Sequence, residues 1–178
     1  MKKQLRLLVT DKCNRSCVGC CNKQWNLNEL PIANMDELNM YELIMITGGE
    51  PLLFDTQLRK LLTNLQSVSA PKILYTANPI VELIYLFVDK LLDGVTITLH
   101  TADDINIFLL FDTALHSIQH YDTYDTLSLR VNIFNEVNIS SLGTLFCNWK
   151  IKNNIEWIED CPLPTNEDFL RIETLWKY

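Results

Sequence analysis

Cys13, Cys17 and Cys20 stand at C-x3-C-x2-C spacing within one short segment. Three thiolates this close in sequence can hold three irons of a [4Fe–4S] cube and leave the fourth iron open. An ordinary electron-transfer cluster is instead closed by a fourth protein thiolate, so an open iron points to chemistry at the cluster. Further along, Thr47, Gly48, Gly49, Glu50 and Pro51 follow one another directly, with Leu52 and Leu53 behind them. The two glycines let the backbone approach a ligand closely, and Glu50 puts a carboxylate beside that approach. The chain has three further cysteines, Cys21, Cys147 and Cys161. A disulfide framework suits small secreted chains, and the ample apolar content argues against it here. Zinc knuckles use paired C-x2-C units, and no second pair occurs. Cys21 reads as a small buried side chain, Cys147 as part of an apolar helix face, and Cys161 as a residue following a strand end.

The two motifs, in this order, resemble the radical S-adenosylmethionine (radical SAM) superfamily. The resemblance implies that Cys13, Cys17 and Cys20 ligate a [4Fe–4S] cluster. It implies that SAM chelates the open iron and that Gly48, Gly49, Glu50 and Pro51 bind its amino group. The activity implied is reductive cleavage of SAM to methionine and a 5′-deoxyadenosyl radical, which abstracts hydrogen from a substrate. An external one-electron reductant, flavodoxin or ferredoxin, would supply the electron. The family usually carries an aromatic residue just before the third cysteine, where it helps hold the adenine. Here that residue is Gly19, and Trp25 and Asn22 are the candidates to take over the contact.

Two narrower resemblances compete over the substrate. Cys17, Gly19, Cys20 and Asn22 with Trp25 resemble the activases of anaerobic ribonucleotide reductase, which act on a glycine in a partner protein. Those activases usually carry an additional segment before the cysteines. The run from Ile46 to Leu53, with Thr76, Ala77 and Asn78 in a later strand, resembles 7-carboxy-7-deazaguanine synthase. That enzyme usually has a polar residue right after the third cysteine, where Cys21 stands here. Substrate therefore stays open between a small molecule and a protein. A non-catalytic iron–sulfur or zinc module is the alternative of a different class, and the Gly48–Glu50 segment argues against it.

The surrounding composition sets bounds. A chain of 178 residues, 48% apolar and 21% charged, fits one globular domain with a single core. Its net charge of −7 disfavours a binder of nucleic-acid backbones, which would show a basic patch. The longest apolar run, residues 80–92, contains Glu82 and Asp89 and is too short to span a bilayer. These features lead us to expect a soluble, cytoplasmic protein without membrane partners.

The elements that must position the motifs alternate. Strands are expected at 5–9, 41–46, 72–76, 95–99, 127–134 and 150–158. Helices are expected at 55–68, where Leu58, Leu61, Leu62 and Leu65 make an apolar stripe, and at 78–92, opened by Asn78 and Pro79. Thr101 with Asp104 forms a capping box for a helix reaching His120. Residues 139–148 are weakly helical, and Thr165 with Asp168 would cap a terminal helix. Such alternation implies a parallel sheet, here an open partial (β/α)6 barrel spanning residues 1–178 as one domain. Side chains alternate faces along a strand. Val95, Ile97 and Leu99 should therefore meet the helices, with Thr96, Thr98 and His100 facing inward. Likewise Leu129, Val131 and Ile133 should face out, with Arg130 and Asn132 inward. A polar interior suggests a ligand-holding cavity, the alternative being edge strands with one solvated face. Arg130 would then be a buried cation in need of an anion, either a ligand carboxylate or an acid such as Glu156. Asn132 could bond adenine or ribose. His100, at a strand's C-terminal end, could touch a ligand or cap the next helix. His116 and His120 read as helix-surface residues, and Asp122 and Asp125 as part of a solvated loop.

Overall fold

The computed structural model describes residues 3–118 and 124–177, so the readings of His120 and Asp122 lie outside the described residues. Seven strands make one sheet: β1 (Gln4–Thr10), β2 (Leu43–Gly48), β3 (Lys72–Thr76), β4 (Gly94–Leu99), β5 (Ser128–Phe134), β6 (Lys150–Ile155) and β7 (Glu167–Trp176). Their order is β6-β5-β4-β3-β2-β1-β7, and every neighbouring pair is parallel. The sheet is open, with β6 and β7 as its edges. Three helices lie among these strands: α1 (Asp55–Asn64), α2 (Glu82–Val88) and α3 (Ala102–His116). Among the described residues no helix is long and apolar enough to cross a membrane.

The alternation read from β4 and β5 holds on the apolar side. Val95, Ile97, Leu99, Leu129, Val131 and Ile133 are all buried in the main core with Phe108 and Phe111 of α3. The capping box at the start of α3 is present, with Thr101 and Asp104 bonded reciprocally. A smaller second core lies elsewhere on the sheet, where Leu8, Leu27, Leu30, Phe169 and Leu175 pack together.

The largest departure from the sequence reading is at the C-terminal end. The expected terminal helix is instead β7, paired with β1 from Gln4↔Glu167 to Leu8↔Arg171. The reason lies in Asp168, which would have capped the helix. Its carboxylate accepts from Lys3 Nζ at 2.8 Å and from the Tyr41 hydroxyl at 3.1 Å, so cross-strand partners take the place of the cap. Residues 139–148 carry only a short 3-10 turn, Ile139–Leu142, ended by Gly143 at φ +61°. The helix expected from Asn78 begins later, at Glu82, and the Asn78 N–H is held by Thr76 Oγ1 at 2.9 Å.

The strand assignment of β7 has a direct mechanical consequence. Phe169 is 8% exposed and meets Trp25 edge-on at 5.5 Å. We expect Phe169→Ala to cost about 3 kcal/mol in urea denaturation, as for a core aromatic. A loss below about 0.5 kcal/mol, typical of a surface position, would contradict the packing of β7.

Candidate cofactor site at the cysteine loop

The cysteines leave the sheet where parallel strands present their C-terminal ends, the usual place for ligands in α/β folds. β1 ends at Thr10 and runs straight into Cys13, while its neighbour β2 ends at Gly48. The two loops dock backbone to backbone. The Gly49 N–H donates to the Thr10 carbonyl at 2.8 Å and the Glu50 N–H to the Lys12 carbonyl at 2.7 Å. A Cβ at Gly49 would overlap the Lys12 carbonyl, and one at Gly48 would overlap that of Thr10. Gly48 also has φ +156°, which L side chains rarely adopt. The close approach that the glycine pair permits is thus to the cysteine loop itself. Asn22, from the far end of that loop, adds a bond from Nδ2 to the Gly48 carbonyl at 2.7 Å.

Arg15, between the first two cysteines, anchors the loop's other flank. Its guanidinium forks onto Asp104 (Nη2–Oδ1 2.6 Å, Nη1–Oδ2 3.0 Å) and also donates to the Ala77 carbonyl at 2.7 Å. Asp104 further accepts the backbone N–H groups of His100 and Thr101 at 2.8 and 2.9 Å. Burial alone would raise the Asp104 carboxyl, but Arg15 and these two amides outweigh it and hold it below the ordinary range. The Asp104 bond also raises the pKa of Arg15. One carboxylate therefore starts α3 and ties the cysteine loop to β3 and β4. Sequence reasoning found Asp104 as a helix cap and missed Arg15 as its partner.

Cys13, Cys17 and Cys20 all line one cavity of about 260 Å³, together with Gly48 and Gly49. Its remaining wall combines strand residues such as Thr47 of β2, Tyr75 of β3 and Thr98 of β4 with the rings of Trp25, Trp157 and Phe169. Burial raises the Cys13 and Cys17 thiols, and repulsion from neighbouring thiolates adds to it. Among the described residues no three His, Cys, Asp or Glu side chains are gathered closely enough to hold a metal ion. The thiols share a cavity without converging on one point. The other cysteines depart from their sequence readings. Cys21 is disulfide-bonded to Cys161, 140 residues away, because the β6–β7 connection passes the cysteine loop. Cys147 lies in no helix; it is buried in the main core, and Asp112 accepts its N–H at 3.1 Å.

Glu50 is 1% exposed and does not line the cavity. Its Oε1 accepts from Leu52 N at 3.1 Å and Thr76 Oγ1 at 2.7 Å, and its Oε2 from Ala77 N at 3.0 Å. Burial pushes its pKa up, against the pull of these three donors. Pro51 opens a 3-10 turn, Pro51–Phe54, where its missing N–H costs nothing. His100 lines the cavity, and its Nδ1 is buried without a partner. Asn132, opposite Thr98 in the β4–β5 register, likewise leaves Oδ1 buried and unpartnered. Arg130 differs from its reading as a buried cation. It is exposed, because β5 lies one strand from the sheet edge and the outermost strand, β6, is itself exposed from Lys150 to Asn154. Water solvates the guanidinium there, and it needs no counter-anion. Glu156, its expected partner, lies 3.5 Å from Asn135 instead.

Both candidates for the aromatic contact missing at Gly19 line the cysteine cavity. Asn22 is held on Gly48, while Trp25 packs on Phe169 and donates to the Cys161 carbonyl at 3.3 Å. The ring beside Gly19 belongs to Trp157, which carries no local motif that would single it out. No family model and no curated protein matches the chain.

Replacing Asp104 with Asn tests the anchor. It leaves a guanidinium that is 21% exposed without its counter-charge, and we expect a loss of about 3 kcal/mol in denaturant titration. Because the Asp104 pKa is depressed, the pair's contribution is complete above the ordinary value of 3.8 and is lost as pH falls through the lower folded value. The difference between wild type and variant should therefore shrink in that acid range. A difference independent of pH would contradict the ion pair.

Proposed function

We propose that this chain is a radical SAM enzyme on an open partial (β/α)6 barrel, with a [4Fe–4S] cluster on Cys13, Cys17 and Cys20 and SAM beside it. The observation that carries this reading is the shared cavity. Three cysteines from one loop and the glycine pair of a second loop line the same space at the C-terminal ends of parallel strands. The donor set fits the group. Cys21 is taken by Cys161 and Cys147 lies in the main core, so the loop offers three thiols and no fourth. Bound there, the cluster would supply the one-electron reduction that cleaves SAM and yields a hydrogen-abstracting 5′-deoxyadenosyl radical.

The chain's own residues have definable parts in this. The thiols of Cys13 and Cys17 resist ionisation because they are partly buried and lie near negative charge, from Glu50 and Cys20 for Cys13 and from Cys20 and Cys13 for Cys17. Cys13, Cys17 and Cys20 would hold the cluster as thiolates, and its positive charge would favour their deprotonated form. Arg15 and Asp104 hold the loop's backbone while the side chains turn. Glu50 keeps one lone pair on Oε2, since three of about four acceptor positions are already filled. That remaining position lies behind Ala77 and Gly49 of the cavity wall, and a ligand amino group would reach it only where that wall parts. A flavodoxin- or ferredoxin-type reductant is required. The substrate, small molecule or protein, would meet the cluster in this cavity.

Anaerobic reconstitution with iron and sulfide, followed by SAM and dithionite, tests the reading. We expect equimolar methionine and 5′-deoxyadenosine from wild type. Replacing Cys13, Cys17 and Cys20 together with Ala should remove both the iron and the products. Full iron retention in that triple variant would contradict the assignment.

A further inference from the structure

The chain carries a net charge of −7, yet among the described residues the cysteine cavity is bordered by two arginines, Arg6 and Arg15, and by no carboxylate. The two cations differ in how far they are committed. Arg15 has its fork on Asp104 and the Ala77 carbonyl. Arg6 comes from the middle of β1, four residues before Thr10 and so about 13 Å down the strand from its exit into the cysteine loop. Its Nη2 donates to Glu167 Oε2 at 2.6 Å, and Glu167 does not border the cavity. A guanidinium forks into several donors, of which this pair takes one among the described residues. The Arg6 side chain is 34% exposed, whereas that of Glu167 is 12% exposed. Arg6 therefore keeps N–H donors on a side chain that a ligand in the cavity can reach.

The surroundings of Arg6 restrain it without using those donors. Arg6 and Phe169 are paired in the β1–β7 register, and the guanidinium carbon lies 5.7 Å from the centre of the Phe169 ring. A ring beneath a guanidinium attracts the cation and leaves its N–H groups at the edge of the plane. Phe169, Trp25 and Tyr75 line the cavity with it. Flat apolar surface thus lies next to a cation whose fork matches the paired oxygens of a carboxylate or phosphate. A neutral polar group would gain less from the fork, and Arg6 and Arg15 together would repel a cation. The place is also distinct from the Gly48–Glu50 segment, which stands at the strand ends and not along them.

We propose that Arg6 binds the anionic oxygen group of a small substrate with a flat apolar body, and that this body lies along Phe169 and Trp25 between Arg6 and the cysteine loop. The anion is a carboxylate or a phosphate. The inference deepens the proposed function by naming a substrate class, and it rests on that reading only for the reaction the substrate undergoes. Glu167 has a double part. It keeps Arg6 oriented when the cavity is empty, and it competes with the ligand for the same positive charge.

Benzoate and phenyl phosphate are the probes, with benzamide as the neutral control, each titrated against the reconstituted full chain by equilibrium dialysis. Hydrogen bonds to a charged partner, taken at the low end of their range, correspond to about tenfold in affinity. Benzamide should therefore bind about tenfold more weakly than the better of the two anions, and the better anion names the group. Arg6→Gln should weaken that anion about tenfold and leave benzamide unchanged, while Arg6→Lys should recover part of the loss. Glu167→Gln should tighten the anion, because the competing carboxylate is gone. A purely structural clamp between β1 and β7 predicts otherwise: both Arg6→Gln and Glu167→Gln would lower stability in denaturant, and neither would distinguish anion from amide. Equal affinity for anions and benzamide, no anion binding by wild type, or wild-type anion affinity in a folded Arg6→Gln variant overturns the proposal. SAM cleavage, measured in parallel, keeps the two readings apart. Cleavage together with Arg6-independent anion binding removes the anion site alone. Arg6-dependent anion binding without cleavage removes the reaction and leaves the site.

Discussion

The contact on which the site depends is the meeting of two backbones at the ends of β1 and β2. Gly48 and Gly49 lie so close to Thr10 and Lys12 that any side chain would collide there, and the bonds Gly49 N–H to Thr10 and Glu50 N–H to Lys12 lock the approach. This fixes the first cysteine relative to the sheet. It also buries Glu50, whose carboxylate gathers Leu52, Thr76 and Ala77 and so joins β2 to β3. Arg15 then reaches Ala77 and Asp104, which carries the linkage on to β4 and α3. A run of polar contacts thus passes across four strands and ends on both sides of the cysteine loop.

Local chemistry was legible in the sequence wherever a signal lies within a few residues. The cysteine spacing, the glycine pair, the capping box of Thr101 and Asp104, and the outward face of β4 and β5 all depend on near neighbours or strand alternation. What could not be read depends on pairings set by topology. Asp168 carries the signature of a helix cap, but Lys3 and Tyr41 reach it first, and residues 167–176 become a strand. Arg130 was placed on its strand face correctly by alternation. Its exposure follows from how few strands lie beyond β5, which no local pattern states. Arg15 and Asp104 are 89 residues apart, and nothing in either neighbourhood names the other.

The return of the chain from β6 to β7 is the feature that makes the site more than its two motifs. Because β7 pairs with β1 at the opposite edge, the connecting segment must cross the sheet, and it crosses at the cysteine loop. That path brings Trp157 onto Gly19 and Cys161 onto Cys21. It also puts the Cys161 carbonyl within reach of Trp25, whose ring belongs to the second core. The glycine at position 19 and the tryptophan beside it are two halves of one packing solution.

Three protein thiols would hold the proposed cluster, with one iron left for another ligand. Mössbauer spectroscopy of the reconstituted, iron-57-labelled protein measures this directly. The account calls for four irons per chain, with one subsite whose isomer shift rises when SAM is added while the other three stay unchanged. Four equivalent irons insensitive to SAM, or a spectrum altered by removing Cys21 or Cys161, would contradict it.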